Sequence, residues 1–282
     1  MNTGATDHNP TLGPEQVINL ERYPIEDTGT AVFRDMVDRL RNELNRQQYV
    51  VLPVFIRPGA RTQAIEQVER VLHLANHNHS DRNCYLQREP DSSLPQDHPR
   101  NRFLQASTWM LAADLLPPES PLKTLYYWPQ MKQMVAGIVG VDTLYDNEDP
   151  LQPVNALCYR NGDRSNWHFD SVNAFTMTLM LQAPERGGSF EMHPNTRTDD
   201  EQNYEQVKKV IGGDGTGVVE VGREEGSLCI FRGCNSLHRV SPVEGDRMRI
   251  MGVFVYENEP GITGDPEVNE TVYGRKTAAP VA

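Results

Sequence analysis

The chain has 282 residues, enough for one large domain with a sizeable core, and a formal net charge of −12. That acidic balance, with no Lys/Arg cluster, zinc-finger spacing or RNA-binding aromatic motif, argues against a nucleic-acid partner. The absence of both a long apolar run and a signal-peptide pattern argues against membrane insertion and export, and for a cytoplasmic location.

Residues 1–13 are polar, with Gly, Pro, Asn and Thr, and read as a mobile arm. The remainder, 14–282, reads as a single domain with a helical front (14–150), a catalytic β-core (151–257) and a C-terminal tail (258–282). From Ala31 to Gln48, Phe33, Met36, Val37, Leu40 and Leu44 recur at helical spacing. The β-branched run from Gln48 to Phe55 predicts the first strand. From Gly59 to Asn78, Ile65, Val68, Val71, Leu72 and Ala75 predict a second helix, which places His73 and His77 at its solvated end. Cys84 to Arg102, with its prolines and charges, reads as a long loop of the kind that often carries function. Ser107 to Leu116 reads as helical, and Pro121 to Val139 as a helix interrupted near Pro129. From Val154 onward, short strands alternate with Gly, Pro and Asn turns, the pattern of a sandwich or barrel. The charged stretch from Thr198 to Lys209 predicts a helix within this β region. The glycines from Gly212 to Gly217 form a turn cluster without the Lys-Ser/Thr of a nucleotide loop.

Cys84, Cys158, Cys229 and Cys234 fit neither a Cys-x-x-Cys motif nor a paired framework. Buried free thiols and a reducing compartment are expected.

The chemistry concentrates in His168-Phe169-Asp170 and a distant His238. Side chains alternate along a strand, so His168 and Asp170 point one way and Phe169 the other. With His238 brought close, two imidazoles and one carboxylate occupy one face of a metal and leave the opposite face open, as in non-haem Fe(II) oxygenases. Beyond His238, Arg247 and Arg249 alternate onto one face of a strand together with Met251 and Val253. An arginine on a core-facing strand needs an anion, and a guanidinium suits a carboxylate. Tyr159 and Asn155, four positions apart, sit on the strand before the ligand pair as candidate cosubstrate contacts. Trp167 flanks the ligands as a candidate substrate contact.

These segments, with Asn161-Gly162-Asp163, Thr178 to Gln182 and Pro184 to Glu191, resemble the Fe(II)/2-oxoglutarate-dependent dioxygenases. The similarity covers roughly residues 150 to 257 and is greatest to the branch that hydroxylates or halogenates free amino acids. The resemblance implies an α+β, β-rich fold: a double-stranded β-helix (jelly-roll, cupin-like) core with N-terminal helices packed on it. It implies Fe(II) on His168, Asp170 and His238, 2-oxoglutarate held by Arg247 or Arg249, of which Arg247 fits the family's Gly-x-Arg pattern better, O2 as the other cosubstrate, and a small-molecule substrate. It also implies a loop arginine for the substrate carboxylate, for which Arg100 and Arg102 are candidates. The radical halogenases of this branch carry Gly or Ala where this chain has Asp170, so hydroxylation is the expected outcome. Two alternatives compete: a cupin-like metalloenzyme that does not use 2-oxoglutarate, and a non-catalytic small-molecule-binding protein. The sequence carries no signal for oligomeric state.

Overall fold

A computed structural model of the chain describes residues 11–170 and 175–277. Positions 1–10 of the expected arm and 278–282 of the tail therefore lie outside the described residues. Helices α1 (Pro14–Val17) and α2 (Ala31–Gln47) precede β1 (Tyr49–Leu52), α3 (Pro58–Val71), β2 (Asn76–Arg82) and β3 (Leu104–Leu111). Then come α4 (Pro121–Tyr127), α5 (Pro129–Val139), β4 (Tyr145–Asp146), β5 (Val154–Tyr159), β6 (Ser165–His168) and β7 (Thr176–Gln182). The chain continues with β8 (Arg186–Gly187), β9 (Phe190–His193), α6 (Tyr204–Ile211), β10 (Val219–Glu220) and β11 (Leu228–Phe231). It closes with β12 (Leu237–Val240), β13 (Val243–Glu244), β14 (Arg249–Phe254), β15 (Tyr256–Glu257) and α7 (Pro266–Tyr273).

Two antiparallel sheets make the jelly roll. The larger runs β1-β11-β7-β14-β5-β3-β2 and the smaller β10-β9-β12-β6. Both sheets contribute side chains to one cavity: Tyr159, Thr178 and Arg249 come from the larger sheet, His168, Phe190 and His238 from the smaller. On the other side of the larger sheet lie α3 and α4, against β7 and β5, with α2 packed on α5. The predicted stripe of α2 is buried from Phe33 to Leu44, and Thr30 caps the helix by accepting the Phe33 amide at 3.1 Å. Leu44 is fully buried, so Leu44→Ala would cost about 2–5 kcal/mol.

Four expectations need correction. Ser107 to Leu116 is not a helix: its first half belongs to β3, which pairs Trp109 with Cys158 and Leu111 with Ala156. Pairing with β5 on one side and β2 on the other decides the conformation of a segment whose local preference is ambiguous. The second helix stops at Val71, and His77 and His79 stand on β2. There His77 stacks on Trp109 with centroids 4.1 Å apart and contacts Ser107 Oγ at 2.9 Å. The front is therefore only partly helical, since β1, β2 and β3 all join the larger sheet. The helix expected from Thr198 begins later, at Tyr204, and the tail contains α7.

Candidate active site

His168 and His238 are direct cross-strand partners where β6 pairs with β12, and their ring centroids lie 4.3 Å apart. Each ring has its Nδ1 against a backbone carbonyl two residues earlier, His168 with Asn166 at 2.7 Å and His238 with Ser236 at 2.9 Å. A carbonyl only accepts, so Nδ1 carries the proton and each Nε2 lone pair is free for a metal. Asp170 lies just beyond β6, its amide donating to the Gly233 carbonyl at 3.1 Å. Its Oδ1 sits 3.4 Å from His238 Nε2 and 3.6 Å from His168 Nε2, and Thr176 donates its hydroxyl to Oδ2. One atom from each of the three residues falls within a 4.8 Å group. Gly233 makes this closeness possible, because a Cβ there would run into the Asp170 carboxylate.

The protonation states suit the same role. Burial pushes His168 down to about 4, helped by the neighbouring His238, so its imidazole is neutral at pH 7. Burial opposes the charge on Asp170, but His238 and the Thr176 hydroxyl outweigh it and hold the carboxyl below its ordinary range. Neutral imidazole and ionised carboxylate are the forms that bind a divalent metal. The donor set, its spacing and the aimed Nε2 atoms fit Fe(II).

The cavity runs inward from these ligands, past Tyr159 and Thr178, to Arg249. Arg249 opens β14, is fully buried, and has Nε and Nη2 without hydrogen-bond partners among the described residues. Its Nη1 reaches the Met251 sulfur at 2.5 Å, and its guanidinium lies 5.2 Å from the centre of the Tyr159 ring. Burial pushes its pKa down to about 10, so it keeps its charge at neutral pH. A buried guanidinium without an acid fits the distal carboxylate of 2-oxoglutarate.

Not every sequence-derived candidate converges here. Arg247 precedes β14, is exposed, and ion-pairs with Glu225 at 2.7 Å outside the cavity. The alternation that placed it beside Arg249 fails because the strand begins only at Arg249. Asn155 faces the far end of β5, where it accepts from Tyr273 and donates to the Gln152 carbonyl at 2.6 Å. Its hydrogen bonds are structural and it lines neither cavity. Arg100 lies near Tyr85 and Tyr204, 5.6 and 5.7 Å from their ring centres, and neither it nor Arg102 lines the site. Trp167 borders the mouth, but its indole packs with Phe169 and Leu237 behind the ligand strand, beneath Arg239 at 4.7 Å.

The sequence reading missed two arginines. Arg223, between β10 and β11, enters the inner cavity. Arg82, at the end of β2, lines an outer pocket that shares His168, Tyr159 and Ser165 with the inner one. Arg82 Nε and Nη2 are shielded from solvent and unpartnered, and burial lowers its pKa. The inner face of β2 is Asn76, Asn78, Ser80 and Arg82, a period-2 pattern of polar residues that hydrophobic periodicity cannot register. All four cysteines are free, and Cys84, Cys158 and Cys229 are buried.

Fold and site together define the class: a non-haem Fe(II)- and 2-oxoglutarate-dependent oxygenase with a jelly-roll core. Within it, the family model described as Halogenase D matches residues 32–273, and the chain belongs to that family. Among solved structures it resembles AviO1 from Streptomyces viridochromogenes Tue57 (16% identity, 81% of this chain and 97% of the other, TM-score 0.54). It also resembles a 2OG-Fe(II) oxygenase family protein from Burkholderia pseudomallei (13% identity, 80% and 92%, TM-score 0.50). A third is HygX from Streptomyces hygroscopicus, solved with nickel, 2-oxoglutarate and hygromycin B (12% identity, 79% and 88%, TM-score 0.50). At these identities the likeness is one of fold. No curated protein sequence matches the chain. Among the described residues, no helix is long and apolar enough to cross a membrane.

Proposed function

We propose that this protein hydroxylates an unactivated C–H bond of a small carboxylate-bearing metabolite, a free amino acid or a derivative of one, in the cytoplasm, while 2-oxoglutarate becomes succinate and CO2. The observation that carries this reading is a metal-ready triad and an unpaired buried guanidinium, Arg249, at the two ends of one cavity. His168, Asp170 and His238 would hold Fe(II), and Arg249 would hold the distal carboxylate of 2-oxoglutarate, with Tyr159 alongside. When bound, the metal and keto acid supply the O2-driven oxidation of the substrate. The chain's own part is to keep the His168 imidazole neutral and both Nε2 atoms aimed, to fix the length of the acid between triad and Arg249, and to wall the cavity against water.

Two features refine the outcome. Asp170 occupies the third ligand position, where the resembling halogenases lack a carboxylate, and this favours hydroxylation over halogenation despite the family's description. Arg82, in place of Arg100 or Arg102, offers the outer pocket's charged donor, and among the described residues no Asp or Glu lines that pocket. An anionic substrate group matches it.

An anaerobic Fe(II) titration with and without 2-oxoglutarate tests the reading. A visible metal-to-ligand charge-transfer band is expected, lost in His168→Ala and weakened in Arg249→Leu but not in Arg247→Leu. Metal binding with no band would favour the cupin-like alternative, and no metal binding would favour a non-catalytic binding protein. With substrate found among free amino acids, the product should gain one oxygen and no chlorine in chloride buffer, and Arg82→Gln should raise KM about tenfold.

A further inference from the structure

The inner cavity contains a second buried cation. Arg223 Nη1 donates to Thr178 Oγ1 at 2.5 Å, and its guanidinium lies 3.8 Å from the centre of the Phe190 ring. Its Nε is buried without a partner, as are Nε and Nη2 of Arg249. Both arginines line the inner cavity and also the cleft that continues under Gly187 and Gly188. Glu185 and Glu220 line that cleft as well, yet among the described residues neither arginine takes part in an ion pair. Among the described residues Asp170 is the only acid lining the inner cavity, and it is committed to the two imidazoles. Two guanidiniums therefore face one cavity, and no acid among the described residues pairs with either. The pKa of Arg249 is lowered first by burial and also by the charge of Arg223. An anion between the two guanidiniums would offset both charges.

We propose that Arg223 and Arg249 form a two-guanidinium receptor for the distal carboxylate of 2-oxoglutarate, with Arg223 a further cosubstrate-binding residue. This rests on the function proposed above. A carboxylate has about four lone-pair sites, so it can take the free edge of Arg249 and the free Nε of Arg223 together. Thr178 and Phe190 fix the Arg223 guanidinium before the acid arrives, one through its hydroxyl and the other through its ring face. A receptor with two cations reads charge as well as length, so it discriminates strongly against a keto acid without a distal carboxylate.

The test is anaerobic calorimetry on Fe(II)-loaded wild type, Arg223→Gln, Arg223→Lys and Arg249→Gln. The probes are 2-oxoglutarate and 2-oxopentanoate, which replaces the distal carboxylate with a methyl group. Arg223→Gln should weaken 2-oxoglutarate at least about tenfold, change 2-oxopentanoate less than about twofold, and leave the Fe(II) affinity unaltered. Arg223→Lys should recover part of the loss. Unchanged 2-oxoglutarate binding in Arg223→Gln would overturn the proposal. So would an equal loss for both keto acids, because that marks a packing role. A wild type that takes Fe(II) but not 2-oxoglutarate would overturn the underlying function as well, and is recognised before any substitution is compared.

Discussion

The two ends of the inner cavity are built on opposite principles. At the metal end the supporting contacts are already made: backbone carbonyls take both Nδ1 atoms, and Asp170 has the Thr176 hydroxyl and a backbone anchor. At the arginine end, polar nitrogens are buried without partners. On the proposed function the first end would take a metal ion and the second an acid. The difference shows how a single jelly roll separates holding a metal, which needs rigidity, from recognising an acid, which needs an unmet charge.

Substitutions sharpen that contrast. The largest effect is expected for Asp170→Ala or His238→Ala, which should abolish stoichiometric Fe(II) binding in anaerobic equilibrium dialysis. Retained iron would remove the triad from its role. Next, Arg249→Gln should leave iron binding intact and weaken 2-oxoglutarate about 10- to 100-fold, as expected for a lost charge-assisted hydrogen bond; calorimetry on the Fe(II) form reads this directly. Thr176→Val should weaken Fe(II) about tenfold through the loosened carboxylate, with 2-oxoglutarate binding to the loaded protein little changed. The smallest effect belongs to Arg247→Gln. It removes an exposed ion pair to Glu225, which Arg61 also engages, and should shift stability by no more than about 1 kcal/mol in urea unfolding. A marked loss of 2-oxoglutarate binding there would reverse the assignment between the two arginines.

The ligand triad was legible in the sequence because strand alternation fixes two of its members relative to each other and a β-rich chain can bring in the third. Arg249 was legible only as one of a pair, since the start of β14 depends on partners in β5 and β7 that no local pattern specifies. The hairpin β2–β3 was not legible. One face of β2 is polar because it lines a pocket and the other because it meets solvent, so the segment shows no apolar period at all. For the same reason Arg82 went unnoticed while the loop arginines drew attention. Arg223 follows a two-residue strand after a glycine-rich turn, a context that carries no signal in a single sequence. Asn155 misled because its face of the strand was right and its partner, Tyr273, comes from a helix far along the chain.

That distant helix has a consequence for how the site is made. Asn269 of α7 donates to Asp149 at 2.9 Å and accepts from Gln152 at 2.7 Å, just ahead of β5. Tyr273 reaches Asn155 on β5, and the Val272 carbonyl accepts from Asn76 on β2 at 3.0 Å. Both strands wall the pockets, so during synthesis every proposed metal ligand is in the chain once residue 238 is added, yet the walls lack these fastenings until α7 emerges. A nascent chain released before Pro266 would carry all three proposed iron ligands in an unfastened cavity, and α7 thereby couples assembly of the candidate site to synthesis of a segment that follows the β-core.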